Sequence, residues 1–273
     1  MRKAIYVLAI ATLLVGLFAT KANADHAWGN YHWGRTANPF TLKLGDNLSG
    51  VWDSYLATTS NDWNLSSVLD TTMVSGRTNP RKCGPTVGRA EVCNYKYGQN
   101  GWLGVASIWI NSSSHITKGT VKLNDTYFNT STYNTAAWRN LVMCQEVGHI
   151  FGLDHQDENF NNAPLGSCLD YSNDPNPNQH PNQHDYDLLE EIYTHLDSTS
   201  TVNQSLVSSP FRGFVPPAPL SINIDLDNPR DWGKEIRKSV DRRSSLFVRE
   251  LGRGEKVFTF VFWADPEGSS YSQ

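Results

Sequence analysis

The run Gln145-Glu146-Val147-Gly148-His149-Ile150-Phe151-Gly152-Leu153-Asp154-His155 constrains this chain more than any other stretch. On a helix, positions 145 and 149 lie one turn apart on the same face, with Glu146 beside them. Gly152 can end that helix by taking a left-handed conformation, which turns the chain back so that His155 approaches the same point from a third direction. Two donors on a helix, a third beyond a turn and a carboxylate within reach of a water make the open three-ligand zinc site of a hydrolase. In such a site the metal lowers the pKa of its water and polarises a scissile carbonyl.

The rest of the chain supplies a scaffold for that segment. Phe40 to Leu44 alternates apolar and polar residues like a half-buried strand. Val51 to Trp63 suits a short amphipathic helix through Val51, Trp52, Tyr55, Leu56 and Trp63. Strands are expected at Leu103 to Ile110 and Thr120 to Asn124. Asn134 is the expected cap of a helix running from Thr135 or Ala136 to about Phe151. A last helix from about His184 to Leu196 carries Leu188, Leu189, Ile192 and Leu196 on one face. Ser245 to Glu250 and Val257 to Trp263, separated by a Gly-containing turn, read as a hairpin.

Composition narrows the class. Charged residues make up 18% of the chain and aromatics 11%, which excludes a disordered or strongly basic nucleic-acid-binding chain. Arg2 and Lys3 precede an apolar run from Ala4 to Ala19, and Ala22-Asn23-Ala24 offers the small residues of a cleavage site. Residues 1–24 are therefore read as a signal peptide, and export to an extracellular or periplasmic compartment follows. No other stretch is expected to enter a membrane. In an oxidising compartment four cysteines favour two disulfides, Cys83 with Cys93 around a short loop and Cys144 with Cys168 across a longer interval. Residues 25–197 carry 10 basic and 18 acidic side chains, whereas residues 198–273 carry 10 and 9. That shift separates an acidic domain, 25–197, from a Ser-, Thr-, Val- and Pro-rich linker, 198–220, and a small β-rich region, 221–273.

Glu146-x-x-His149-x-x-Gly152-x-x-His155 resembles the long zinc motif of the metzincin metallopeptidases, and Val147-Gly148 and Leu153 are most similar to its matrixin branch. Position 145 departs from the family, holding Gln where the motif has His. A carboxamide oxygen is a neutral and poorer zinc donor than imidazole, so either Gln145 ligates and the enzyme works with a weakened site, or the site has lost catalysis. Ser167-Cys168-Leu169-Asp170-Tyr171 resembles the turn that metzincins place under the metal, with Leu169 for the usual methionine. The resemblance implies that Tyr171 lies near the metal, as a ligand or as a hydrogen-bond donor to the tetrahedral intermediate; an ordinary turn aromatic is the alternative. The expected Cys144–Cys168 bond would tie the active helix to that turn. Leu103-Gly104-Val105-Ala106 resembles the edge strand on which matrixins lay an extended peptide, binding substrate by strand addition.

The resemblance covers about residues 38–197. It implies an α+β, zincin-like fold with a twisted mixed sheet, a long active-site helix and a C-terminal helix, to which the β-hairpin region is appended. The implied activity is a monomeric, secreted zinc metalloendopeptidase acting on polypeptides. Zn(2+) would be held by Gln145, His149 and His155, with Glu146 as general base. The alternative is an inactive exported module that binds a polymer or protein. His180, His184 and His195 are read as solvent-facing. The Asn-, Asp- and Pro-rich run from Ser172 to Gln183 is read as a surface loop, with structural Ca(2+) as a lesser option.

Overall fold

A computed structural model of the chain describes residues 26–203 and 224–265; the expected signal peptide and most of the expected linker lie outside the described residues. The architecture is α+β. In chain order it comprises β1 (His32–Trp33), β2 (Phe40–Asn47), α1 (Trp52–Trp63), β3 (Leu69–Ser75), β4 (Ala90–Tyr95), β5 (Trp102–Ile110), β6 (His115–Asn124), α2 (Asp125–Phe128), α3 (Ala136–His149), α4 (Gln183–Ile192), β7 (Lys234–Lys238), β8 (Ser244–Gly252) and β9 (Glu255–Trp263).

All the strands join one mixed sheet in the order β3-β2-β4-β6-β5-β9-β8-β7, with β1 pairing the start of β6. The half from β3 to β6 is parallel, and from β6 onward every pairing is antiparallel. Strand β5 is buried at every position, as befits a strand covered on both faces. Its Ala106, Ile108 and Ile110 contribute to the main core with α3, while Trp102 and Val105 pack with Trp232 and Val261 in a second cluster.

Helix α3 is capped by Thr135, whose hydroxyl accepts from the Trp138 N–H at 3.2 Å. The expected cap, Asn134, instead accepts from the Arg139 guanidinium at 2.6 Å. The helix is buried from Ala137 through His149 at every position except Asn140, so it runs through the core rather than over it. The last helix ends earlier than expected, at Ile192, and Leu196 is exposed.

Two boundaries read from composition shift. The hairpin β8–β9 is no appendage: β9 pairs antiparallel with β5 along its length and completes the same sheet. The start of the expected linker is also tied down, because Thr201 donates its N–H to the Gly34 carbonyl at 2.8 Å and its hydroxyl bonds the Ile116 carbonyl. Both expected disulfides are present, Cys83–Cys93 and Cys144–Cys168. No helix among the described residues is long and apolar enough to cross a membrane.

Candidate metal centre

The C-terminal end of α3 brings Gln145, Glu146 and His149 into the interior, and Gly152 turns the chain as its position in the sequence predicts. Gly152 has φ +97°, and a Cβ there would stand 2.4 Å from the Tyr31 carbonyl oxygen, so the residue is fixed by both conformation and space. Beyond it the chain pairs with the N-terminal segment through a bridge from Ala27 to Leu153. His155 then returns, its ring centroid 4.5 Å from that of His149 and nearly perpendicular to it.

Both imidazoles are oriented from behind. The Nδ1–H of His149 donates to the Leu153 carbonyl at 2.9 Å, and that of His155 to Glu158 Oε1 at 3.1 Å. These partners fix the tautomer that leaves each Nε2 as an unprotonated donor, the arrangement metal-binding histidines use. Burial pushes both pKa values down, that of His155 to about 3, so both rings stay neutral near pH 7.

Several polar atoms here are buried and lack a hydrogen-bond partner: both side-chain atoms of Gln145, Glu146 Oε2 and His155 Nε2. Leaving one such atom unpaired costs about 1–3 kcal/mol. Three of them, Gln145 Oε1, Glu146 Oε2 and His155 Nε2, can act as acceptors that a cation or its water satisfies, whereas Gln145 Nε2 is a donor. The donor set, a carboxamide oxygen with two imidazole nitrogens, fits a zinc-type cation.

Glu146 lies against β5. The Ala106 N–H bonds its carboxyl group, and a Cβ on Gly104 would come within 2.5 Å of its Oε1. Burial raises the Glu146 carboxyl well above the usual range, against the smaller lowering effect of that backbone bond. Tyr171 is placed beside the metal-type residues, its ring 4.3 Å from His155, with its hydroxyl bonded to Ser244. Leu169 lies under α3, where a Cβ on Gly148 would meet its Cδ2 at 3.0 Å, and the Cys144–Cys168 bond links helix to turn with Cα atoms 5.9 Å apart.

The expected substrate strand differs. Leu103, Gly104, Val105 and Ala106 do not border an open edge, because β9 is hydrogen-bonded there, with Gly104 opposite Phe262, Val105 opposite Val261 and Ala106 opposite Phe260. The reason is hydrophobic: β9 sends Phe258, Phe260 and Phe262 into the main core. Phe260 stacks on His149 at 3.9 Å, and Phe262 meets Tyr171 edge to face at 4.8 Å.

Sequence reading also missed the support from the C-terminal strands. Arg237 on β7 forms a two-pronged pair with Asp154 and reaches Glu158 Oε1 at 3.1 Å, the oxygen that orients His155. Nothing in the spacing of residue 237 relative to 155 announces this. His180 is exposed and bonded to Asp62, while His184 stacks on His26. Among the described residues, the three groups of histidines and carboxylates close enough to share a cation lie outside 172–183, the run considered for calcium.

The chain matches no protein-family model, and no curated protein matches it significantly.

Proposed function

We propose that the protein is an exported, zinc-dependent metalloendopeptidase of zincin-like fold, with Gln145, His149 and His155 as ligands. The observation that carries this reading is the set of buried, unpartnered polar atoms on Gln145, Glu146 and His155, with the imidazoles of His149 and His155 side by side and both held by their Nδ1 atoms. When bound, zinc supplies Lewis acidity that lowers the pKa of a water and polarises a peptide carbonyl. With a cation bound beside it to offset the burial that raises its carboxyl, Glu146 would as a carboxylate take a proton from the attacking water and return it to the leaving amine. Tyr171, its ring 4.3 Å from that of His155, would donate its hydroxyl proton in a hydrogen bond to the oxyanion. Glu158, held by Arg237, keeps His155 in its ligating tautomer.

On this reading a polypeptide substrate takes the place of β9 against β5, and the chain with β9 docked is latent. The second reading, a non-catalytic binding module, draws on the same closure: Phe260 covers His149 and β5 has no free side. One assay separates them. The mature chain, reconstituted with zinc, is incubated with an unfolded protein substrate alongside Glu146→Ala. The enzyme reading expects cleavage that Glu146→Ala abolishes. Zinc-loaded protein that never cleaves, even with Phe260→Ala opening the cover, selects the binding module.

A further inference from the structure

A second cluster of metal-type donors lies apart from the first and shares no residue with it. His32 on β1, His115 at the start of β6, and His195 and Asp197 beyond α4 direct side-chain atoms at one another. Asp197 Oδ1 is 3.3 Å from His32 Nε2, 3.2 Å from His115 Nε2 and 3.7 Å from His195 Nε2, and the His32 and His195 Nε2 atoms are 3.2 Å apart. Four donors at about 2.0–2.1 Å from one tetrahedral zinc stand roughly 3.3–3.4 Å from each other. The four separations, 3.2–3.7 Å, lie near that value.

The surrounding bonds orient two of these residues, His32 and Asp197, for such a role. His32 Nδ1–H donates to the Asn30 carbonyl at 2.7 Å, which leaves its Nε2 as a lone-pair donor facing Asp197 Oδ1 and His195 Nε2. Asp197 Oδ2 is separately occupied, accepting from the Arg35 backbone N–H at 3.1 Å and from Arg35 Nη1 at 2.8 Å. Arg35 also donates to the His195 carbonyl, so the 195–197 segment is clamped before any cation arrives. Hydrogen bonds from the Nε2–H atoms of His115 and His195 can hold these atoms together, and a divalent cation that displaces those protons would meet four donors already gathered.

We infer that His32, His115, His195 and Asp197 form a second divalent-metal site of zinc type, distinct from the centre on α3. His32, His195 and Asp197 hold their donor atoms within 4.8 Å of one another, and His115 reaches Asp197 from a further side; a shell of three imidazoles and one carboxylate would have no open position, which would make the site structural. It fastens the N-terminal strand and the segment after α4 to β6. A cleft of about 590 Å³, lined by these four residues together with Ser113 and Glu191, gives the cation a route in.

The test uses the full mature chain carrying His149→Ala, which removes a ligand of the α3 centre, stripped with chelator and titrated with cobalt(II). The expected result is one tightly bound cobalt per chain with the visible absorption of a tetrahedral ion. Adding His195→Ala should weaken binding on the order of a hundredfold or more and abolish that absorption. His195 has an exposed side chain, so its removal leaves the fold in place. Asp197→Asn is the second variant, and it should weaken cobalt by a similar factor. Chelator should lower the melting temperature of the parent and not that of the His195→Ala chain. Equal cobalt affinity in parent and both variants, or only loosely held metal that gel filtration removes from all three, would overturn the assignment.

Discussion

At the level of single residues, the candidate metal centre depends on positions where one atom decides the outcome. Gly152→Ala places a side chain at a positive φ and against the Tyr31 carbonyl. It should cost more than about 1 kcal/mol in chemical denaturation and weaken zinc binding in parallel. Asp185 offers a test by pH. Burial raises its pKa to about 6, although Ser167 and the Asn182 N–H bond it. The native state therefore holds this proton more tightly than the unfolded chain does. Its contribution is fully present below the unfolded value near 3.8 and is lost as pH rises through about 6. The total is about 3 kcal/mol. Asp185→Asn should accordingly stabilise the protein above pH 6 by up to that amount and flatten the dependence between pH 4 and 6; urea midpoints across that range measure it. Gln145, Glu146, His149, Gly152 and His155 were all legible because a helical period and one glycine place them. Glu158, three residues beyond His155, carries no motif of its own. Arg237 and the His32 cluster were not legible, since among them only His195 and Asp197 are near neighbours in the chain. Their association depends on which strands pair, and side-chain spacing carries no record of that.

At the level of elements, amphipathic and alternating stretches were readable and polar-lined strands were not. Strand β2 and helices α1 and α3 announce themselves by period. Strand β4 buries Glu91 and Asn94, whose charge and amide are matched by Arg89, Asn47 and Asp125. A buried ion pair breaks the hydrophobic pattern that would have revealed the strand. The Cys144–Cys168 link was legible from cysteine number and compartment, and it closes a loop with a sequence separation of 24. Replacing both cysteines with serine should lower stability by about 2–4 kcal/mol, seen as a fall in melting temperature, and weaken zinc affinity as the turn loosens from α3. Strand β9 was read as half of an isolated hairpin because its partner, β5, is about 150 residues away in sequence. Phe260→Ala removes the ring over His149. It should destabilise the chain by about 3–5 kcal/mol and, if β9 holds the enzyme latent, increase cleavage of an unfolded substrate despite that loss.

At the level of the whole molecule, the ends of the described chain close the site rather than hang from it. Residues 26–33 brace the turn after α3 and the start of β6, and β7 to β9 cover the opposite side through Arg237, Ser244 and Phe260. Composition alone placed a boundary near residue 198, yet the charge shift marks a change of sequence character within one continuous sheet. The measurement that bears most directly on the account is the zinc content of the reconstituted His195→Ala chain, in which the second cluster is silenced. The account predicts about one zinc per chain, lost when His149→Ala is added. A His195→Ala chain that folds and holds no zinc after careful reconstitution would contradict it.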